Sequence, residues 1–287
     1  MNCGQKRLAF CRVLVYRDPV FSITRQESLG ILDVQAKKGL EKIACLTAYT
    51  FSMARILDEY CDLILVGDSV GATVYGMDST LPVTMDMMIA HGKAVVKARN
   101  KAIVVVDMPF ASYYSPEVAY RNASRILSET GCDAVKLEGG VCAANEIAFL
   151  VSRGIPVMGH IGVMPQHFNQ LGGYKCRGKT EDSRRLIEQD AKAVCEAGAF
   201  CVVMECISAA LAAEITKKLP VPTIGIGASG ACDGQILVVD DMLGQSPRYP
   251  KFVKQFANLE QAIRDAVVGY VAEVKCGKFP STEHCYK

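Results

Sequence analysis

No stretch of this chain stays apolar for anything near the roughly 20 residues a helix needs to cross a bilayer. Its apolar runs, Ile103–Val106 and Ile236–Val239 among them, have the length of buried strands. A membrane-spanning helix is therefore not expected. A secretory signal is not expected either, because no long apolar segment follows the basic residues near the N-terminus. An excess of one charge is also lacking: 32 Lys and Arg stand against 30 Asp and Glu, a formal net charge of +2. With the two signs interspersed, neither nucleic acid nor an anionic membrane surface is implied as a partner. The chain has 13 cysteines and no C-x-x-C pair. Cys45, Cys201 and Cys206 fall in apolar, strand-like runs. The set reads as small core hydrophobes in a reducing compartment, which argues against a disulfide framework and a zinc site.

What is present is apolar bulk: 50% of 287 residues, enough for one large core. Residues 1–28 differ from the rest. Lys6, Arg7, Arg12, Arg17 and Arg25 face only Asp18 and Glu27, without helical or strand period. This segment reads as an N-terminal extension, unstructured or organelle-targeting. Residues 29–287 read as a single catalytic domain.

Within that domain one unit recurs, a short apolar run followed by a polar loop and a helical pattern. The runs are Ile43–Tyr49, Leu63–Gly67, Ala102–Asp107, Ala134–Glu138, Pro156–His160, Phe200–Glu205, Pro222–Gly227 and Gln235–Val239. Rich in Val and Ile and often without alternation, they resemble strands buried on both faces, as in parallel sheets. Ser115-Pro116-Glu117 predicts a helix start, with a capping hydroxyl, a proline in the first turn and an acid favouring the dipole. Gly131 predicts its end, and Thr180 and Gly198 bracket a second helix in the same way. Eight strands alternating with helices predict an α/β fold, the (β/α)8 TIM barrel, with an open doubly wound sheet as competitor. The last apolar stripe, Phe256 to Val274, predicts a helix packed outside the barrel.

The strand ends carry the chemistry. Strand two ends in Gly67-Asp68-Ser69, strand three in Asp107, strand four in Lys136-Leu137-Glu138, strand five in His160 and strand six in Glu205. In a barrel these positions converge on the rim where active sites form. Taken alone, Asp68 or Asp107 is as readily a helix cap. Four carboxylates on one mouth, however, repel unless a cation or a shared proton intervenes, and oxygen-only donors favour Mg2+. Lys136 and Glu138, two apart, share a face. That pair reads either as an interior ion pair or as a clamp for a substrate carboxylate beside a metal ligand. His160 reads as a hydrogen-bonded rim residue, not a metal ligand. Gly225-Ile-Gly227-Ala-Ser-Gly230 fits G-x-G-x-x-G but comes late and lacks the acidic residue expected about 20 positions on. It reads as a loop where backbone approaches a ligand or cradles a phosphate.

At these residues the sequence resembles the ketopantoate hydroxymethyltransferases. The matching stretches run from Ile64-Leu-Val-Gly-Asp-Ser69 through Asp78-Ser-Thr-Leu-Pro-Val-Thr84, Val106-Asp-Met-Pro-Phe110 and Val135-Lys-Leu-Glu-Gly-Gly140. They continue with Pro156-Val-Met-Gly-His-Ile-Gly162, Gln170-Leu-Gly-Gly-Tyr174 and Ile224-Gly-Ile-Gly-Ala228, leading into Cys232-Asp-Gly-Gln235. The resemblance covers residues 31 to 285. It departs at Ala228–Ala231, at Asp240-Asp241 and at Met164. It implies transfer of a hydroxymethyl group from 5,10-methylenetetrahydrofolate to 3-methyl-2-oxobutanoate, giving 2-dehydropantoate through a Mg2+-stabilised enolate in pantothenate synthesis. By the same resemblance Asp68, Asp107 and Glu138 bind the metal, Asp68, Ser69, Asp107 and Lys136 surround the oxo acid, and Glu205 is the catalytic base. A cytoplasmic homo-oligomer, decameric as in bacterial members, is also implied, with the mitochondrion as the alternative location should residues 1–28 be a targeting peptide.

Three rivals stand beside this. The runner-up is a metal-dependent lyase or mutase of the phosphoenolpyruvate mutase and isocitrate lyase type. The others are a Schiff-base aldolase using Lys136 and a non-catalytic ligand-binding barrel.

Overall fold

A computed structural model describes residues 28–167, 169 and 175–286. The N-terminal extension, apart from residue 28, and the Gln170–Tyr174 motif lie outside the described residues. All eight predicted strands form, as β1 Ile43–Thr47, β2 Leu63–Val66, β3 Ile103–Asp107, β4 Ala134–Glu138, β5 Val157–Gly162, β6 Cys201–Glu205, β7 Thr223–Ile226 and β8 Gly234–Leu237. Each pairs in parallel with its neighbours, and β8 closes on β1, so the sheet is a barrel and not an open sheet.

Closure gives the two faces of each strand different work. Ile64, Val66, Val104, Val106, Val135 and Leu137 point outward into a core shared with the helices. Their neighbours Leu63, Leu65, Ile103, Val105, Ala134 and Met158 point into the barrel and fill its amino-terminal part. Period two extends each inward row to a polar strand end. Asp107 continues the row of Ile103 and Val105, Lys136 and Glu138 that of Ala134, His160 that of Met158, and Glu205 that of Cys201 and Val203. Register sets these side by side, Asp107 opposite Lys136 and Glu138 opposite His160.

The helices start and stop where the residues require. Ser115 caps Pro116–Thr130 by accepting from Val118 N, and Gly131 ends it at φ 74°, a backbone shape that favours glycine. Its buried face is Ala119, Ala123, Ile126 and Thr130. Thr180 caps Glu181–Glu196 in the same way. The last stripe is helical over Leu259–Lys275, but it does not pack against its own barrel, and no residue of it is buried. Val267 is 53% exposed and Val268 69%. The apolar period identifies a helix with a sticky face. It carries no information about which surface covers that face. Among the described residues, no helix is long and apolar enough to cross a membrane.

Acids at the amino-terminal end of the barrel serve the backbone. Asp58, buried, accepts the N–H groups of Asn100, Lys101 and Ala102 at 2.9–3.1 Å and so anchors the entry to β3. Asp233 accepts from Thr223 N at 2.8 Å and from Lys38 Nζ at 2.7 Å. Asp58→Ala strips three backbone donors of their acceptor, the Ala102 N–H among them buried. It is expected to lower unfolding free energy by on the order of 3 kcal/mol in urea titrations, with the distant carboxyl-end residues unaffected.

Candidate active site

A cavity of about 1050 Å3 opens at the carboxyl end of the barrel. Every residue singled out from the sequence lines it: Asp68, Ser69, Asp107, Lys136, Glu138 and Glu205, with His160 among them. Asp68 and Ser69 come from the turn after β2. Asp68 N–H donates to Asp107 Oδ2 at 2.9 Å, which locks that turn to the end of β3. Ser69 Oγ lies 2.8 Å from Tyr49 OH. Lys136 Nζ is 3.0 Å from Asp107 Oδ1 and 3.9 Å from Glu138 Oε1.

His160 is hydrogen-bonded, as expected, with Lys136 Nζ 3.2 Å from its Nδ1, but it is buried among the acids and not at an open edge. It is 3% exposed and stands between two carboxylates, Nδ1 at 3.4 Å from Glu138 Oε1 and Nε2 at 3.3 Å from Glu205 Oε2. The inward row of β5 sets it there, because a strand end on that row faces the barrel interior and not the solvent. Two further residues escape a reading of the sequence because Tyr113 sits on a loop and Gln166 on a single 3-10 turn, Pro165–His167, too short for any period to point to them. Gln166 Nε2 donates to Asp68 Oδ2 at 2.9 Å and to Met108 O at 3.0 Å, and its N–H donates to Glu138 Oε2 at 3.0 Å. Tyr113 OH donates to Gln166 Oε1 at 2.5 Å. One buried amide therefore ties together the ends of β2, β3 and β4.

The glycine-rich loop after β7 differs from expectation in its packing. A Cβ on Gly227 would come within 2.5 Å of the Phe252 ring, and one on Gly225 within 3.0 Å of Cys232 Sγ. The space these glycines leave is taken by this chain's own side chains, although Gly227 still borders the cavity.

Burial raises the Asp68 carboxyl well above the usual carboxylate range, and the charges of Glu138 and Asp107 push the same way. Burial also raises Asp107, with Lys136 acting against it. Glu138 is the opposite case. Burial works against its charge, but His160, Lys136 and the Gln166 N–H together hold it below the ordinary value. For His160, burial and the nearby Lys136 both disfavour a second proton, yet Glu138 and Glu205 outweigh them and lift it to about 9. Lys136 is held charged: burial alone would lower it, and Asp107, Glu138 and Asp68 more than reverse this. A lysine so held is a poor amine nucleophile, which weakens the Schiff-base reading.

Lys136 and His160 do not offset the acids around them, and Asp68 is driven toward its protonated form, a repulsion that a cation bound among these carboxylates would relieve. Asp107 Oδ1 and Glu138 Oε1 are buried and accept no hydrogen bond, touched only by the ion pairs with Lys136 and His160. Among the described residues, no three acidic, His or Cys side chains close around an ion by themselves. Mg2+ does not need such a cage, since it is commonly held by one or two carboxylates with substrate oxygens and waters completing the shell. The residues present fit that ion. Gln166→Leu, which frees Asp68 Oδ2 while preserving bulk, is expected to weaken Mg2+ or Mn2+ binding by about 10- to 100-fold in calorimetric titration, with the circular dichroism spectrum unchanged.

A model of the family described as ketopantoate hydroxymethyltransferase matches residues 29–282. The chain is 83% identical over 258 residues to a 3-methyl-2-oxobutanoate hydroxymethyltransferase of Anaplasma marginale (strain St. Maries), spanning 90% of this chain and 93% of the relative. It is 54% identical over 264 residues to the protein of the same name from Rhodospirillum centenum, spanning 91% and 96%. Solved structures with the same fold include a phosphonopyruvate hydrolase complexed with oxalate and Mg++, with a TM-score of 0.58, 10% identity and coverage of 89% and 93%. A phosphoenolpyruvate phosphomutase from Streptomyces platensis subsp. rosaceus also has a TM-score of 0.58, at 14% identity and with coverage of 87% and 88%. At such identities a shared barrel says nothing of shared chemistry. The match across residues 29–282 is of a different order: the chain belongs to the ketopantoate hydroxymethyltransferase family.

Proposed function

We infer that the chain transfers a hydroxymethyl group from 5,10-methylenetetrahydrofolate to 3-methyl-2-oxobutanoate, forming 2-dehydropantoate for pantothenate and coenzyme A synthesis. The observation that carries this reading is the convergence of Asp68, Asp107, Lys136, Glu138 and Glu205 on one cavity in a chain of this family. Residues 29–287 act as one catalytic unit, and residues 1–28 precede it as an extension.

Asp68 and Asp107 would hold Mg2+, with Glu138 beside them. Bound there, the ion supplies Lewis acidity that polarises the 2-oxo group and makes the C3 proton labile. Lys136 and Ser69 join the two aspartates around the oxo acid, Lys136 presenting its fixed charge to the substrate's oxygens. Glu205, its side chain 13% exposed and so reachable from the cavity, takes the C3 proton. His160 steadies Glu205 Oε2 from the buried side. The electron pair left on C3 forms the new carbon–carbon bond to the folate's methylene carbon as one of its two carbon–nitrogen bonds breaks, and water then displaces the remaining folate nitrogen, leaving the hydroxymethyl group and releasing tetrahydrofolate.

Dehydropantoate detected by mass spectrometry should appear only when methylene-folate and a divalent ion are both supplied. EDTA should abolish it and Mg2+ restore it. Asp107→Asn is expected to lose at least about 100-fold in turnover with the fold intact. Consumption of the oxo acid without folate would point to a lyase and overturn the reading.

We also infer a homo-oligomer, decameric by resemblance, in which the helix Leu259–Lys275 contributes contacts. Ile263, Val267, Tyr270 and Val274 share one face of it, all exposed in the single chain. A Val267→Asp, Val274→Asp variant should elute as a smaller species by light scattering, and an unchanged mass would remove this helix from the interface. The described cysteines are free, which supports a reducing cytoplasm as the location.

A further inference from the structure

Cys206 does not sit inside an apolar strand. It lies one residue past β6, half-buried, at φ 50°, in the left-handed region that a non-glycine residue seldom adopts. Its backbone is fixed on both sides: Cys206 N–H donates to Ile226 O at 2.9 Å, and its carbonyl accepts Arg177 N–H at 2.8 Å. Arg177 and Ile207 form a parallel bridge, with Ser208 N–H donating to Arg177 O at 2.9 Å. Cys176 and Cys206 are the residues immediately before that pair, one on each side of the bridge. Both cysteines line the active-site cavity, whereas Ile207 is buried in the core. Burial pushes the Cys206 thiol up to about 12, and Glu205 and Cys176 push the same way.

We propose that Cys176 and Cys206 are a thiol-modification site on the cavity wall, closing to a reversible disulfide beside Glu205 when a low-molecular-weight disulfide oxidises them. The exposed Cys176, as thiolate, attacks one sulfur of the small disulfide and expels one small thiol, leaving a mixed disulfide. The Cys206 thiol gives its proton to solvent, attacks the Cys176 sulfur and expels the second small thiol. Two protein thiols are oxidised to one S–S bond, and one small disulfide is reduced to two thiols. The reluctance of Cys206 to ionise makes the second exchange slow, so the bridge answers sustained oxidation rather than a transient. Once formed, it ties the 175–178 segment to the residue that follows Glu205 and narrows the approach to that carboxylate.

Glutathione disulfide is the probe, applied to the full-length Mg2+-loaded protein. Peptide mass spectrometry should find a 176–206 linked species, and turnover should fall at least ten-fold and return with dithiothreitol. Cys176→Ser should keep its reduced-state turnover and become insensitive to glutathione disulfide. Three results would overturn the proposal: no 176–206 linkage while the exposed Cys142 and Cys276 are modified, a linkage with turnover unchanged, or a Cys176→Ser variant that loses turnover to the oxidant as wild type does. The inhibition readout rests on the proposed transferase activity, but the linkage is read by mass alone. A failure of that activity would show in the reduced wild-type control.

Discussion

Six ionisable side chains meet at the carboxyl end of this barrel, and their charges do not cancel. Asp68, Asp107, Glu138 and Glu205 are offset only by Lys136 and His160, in a layer where all but Glu205 are nearly closed to water. The molecule answers the imbalance in three ways. Lys136 and His160 are held protonated by their acidic neighbours, and Glu138 is held ionised by those same cations and a backbone donor. Asp68 is driven toward its neutral form by burial and by two like charges. A divalent cation resolves all of this at once, because it removes the reason for Asp68 to keep a proton. The loops around the cavity, stitched through Gln166, hold that arrangement in shape whether or not the charge is met.

Much of this is legible in the residues. Strands buried on both faces announce themselves by runs such as Ile103–Val106, and a barrel follows from their number and spacing. The inward position of Asp107, Lys136, Glu138 and Glu205 follows from counting in twos along each run. The same count places His160 deep in the layer, yet an isolated histidine at a strand end reads as readily as a rim residue, and nothing local tells the two apart. Gln166 and Tyr113 are invisible to such counting, since neither a single turn nor a loop has a period. Cys206 misleads for a related reason: composition cannot show that the backbone turns left-handed directly after Glu205. The helix Leu259–Lys275 exposes a different limit, because an apolar stripe states that a partner exists without naming it.

Scaffold and chemistry part company among the related folds. Barrels at 10–17% identity share the architecture with this chain, and among them are a hydrolase, a mutase and a lyase. In this chain the chemistry is set by the residues that end its strands. A lysine surrounded by three carboxylates cannot easily shed its proton to become an amine nucleophile, so the arrangement favours charge recognition over covalent catalysis at that position.

The two ends of the barrel use aspartate in opposite ways. At the amino-terminal end Asp58 and Asp233 are saturated by backbone N–H groups and a lysine, and their charge is spent on holding strands in place. At the other end Asp107 and Glu138 each keep a buried oxygen that accepts no hydrogen bond. Natural variation should therefore sort by pole. Losses near Asp58 deplete the amount of folded protein, whereas neutral replacements near Asp68 or Asp107 relieve repulsion and can yield a chain that is sturdier and inert.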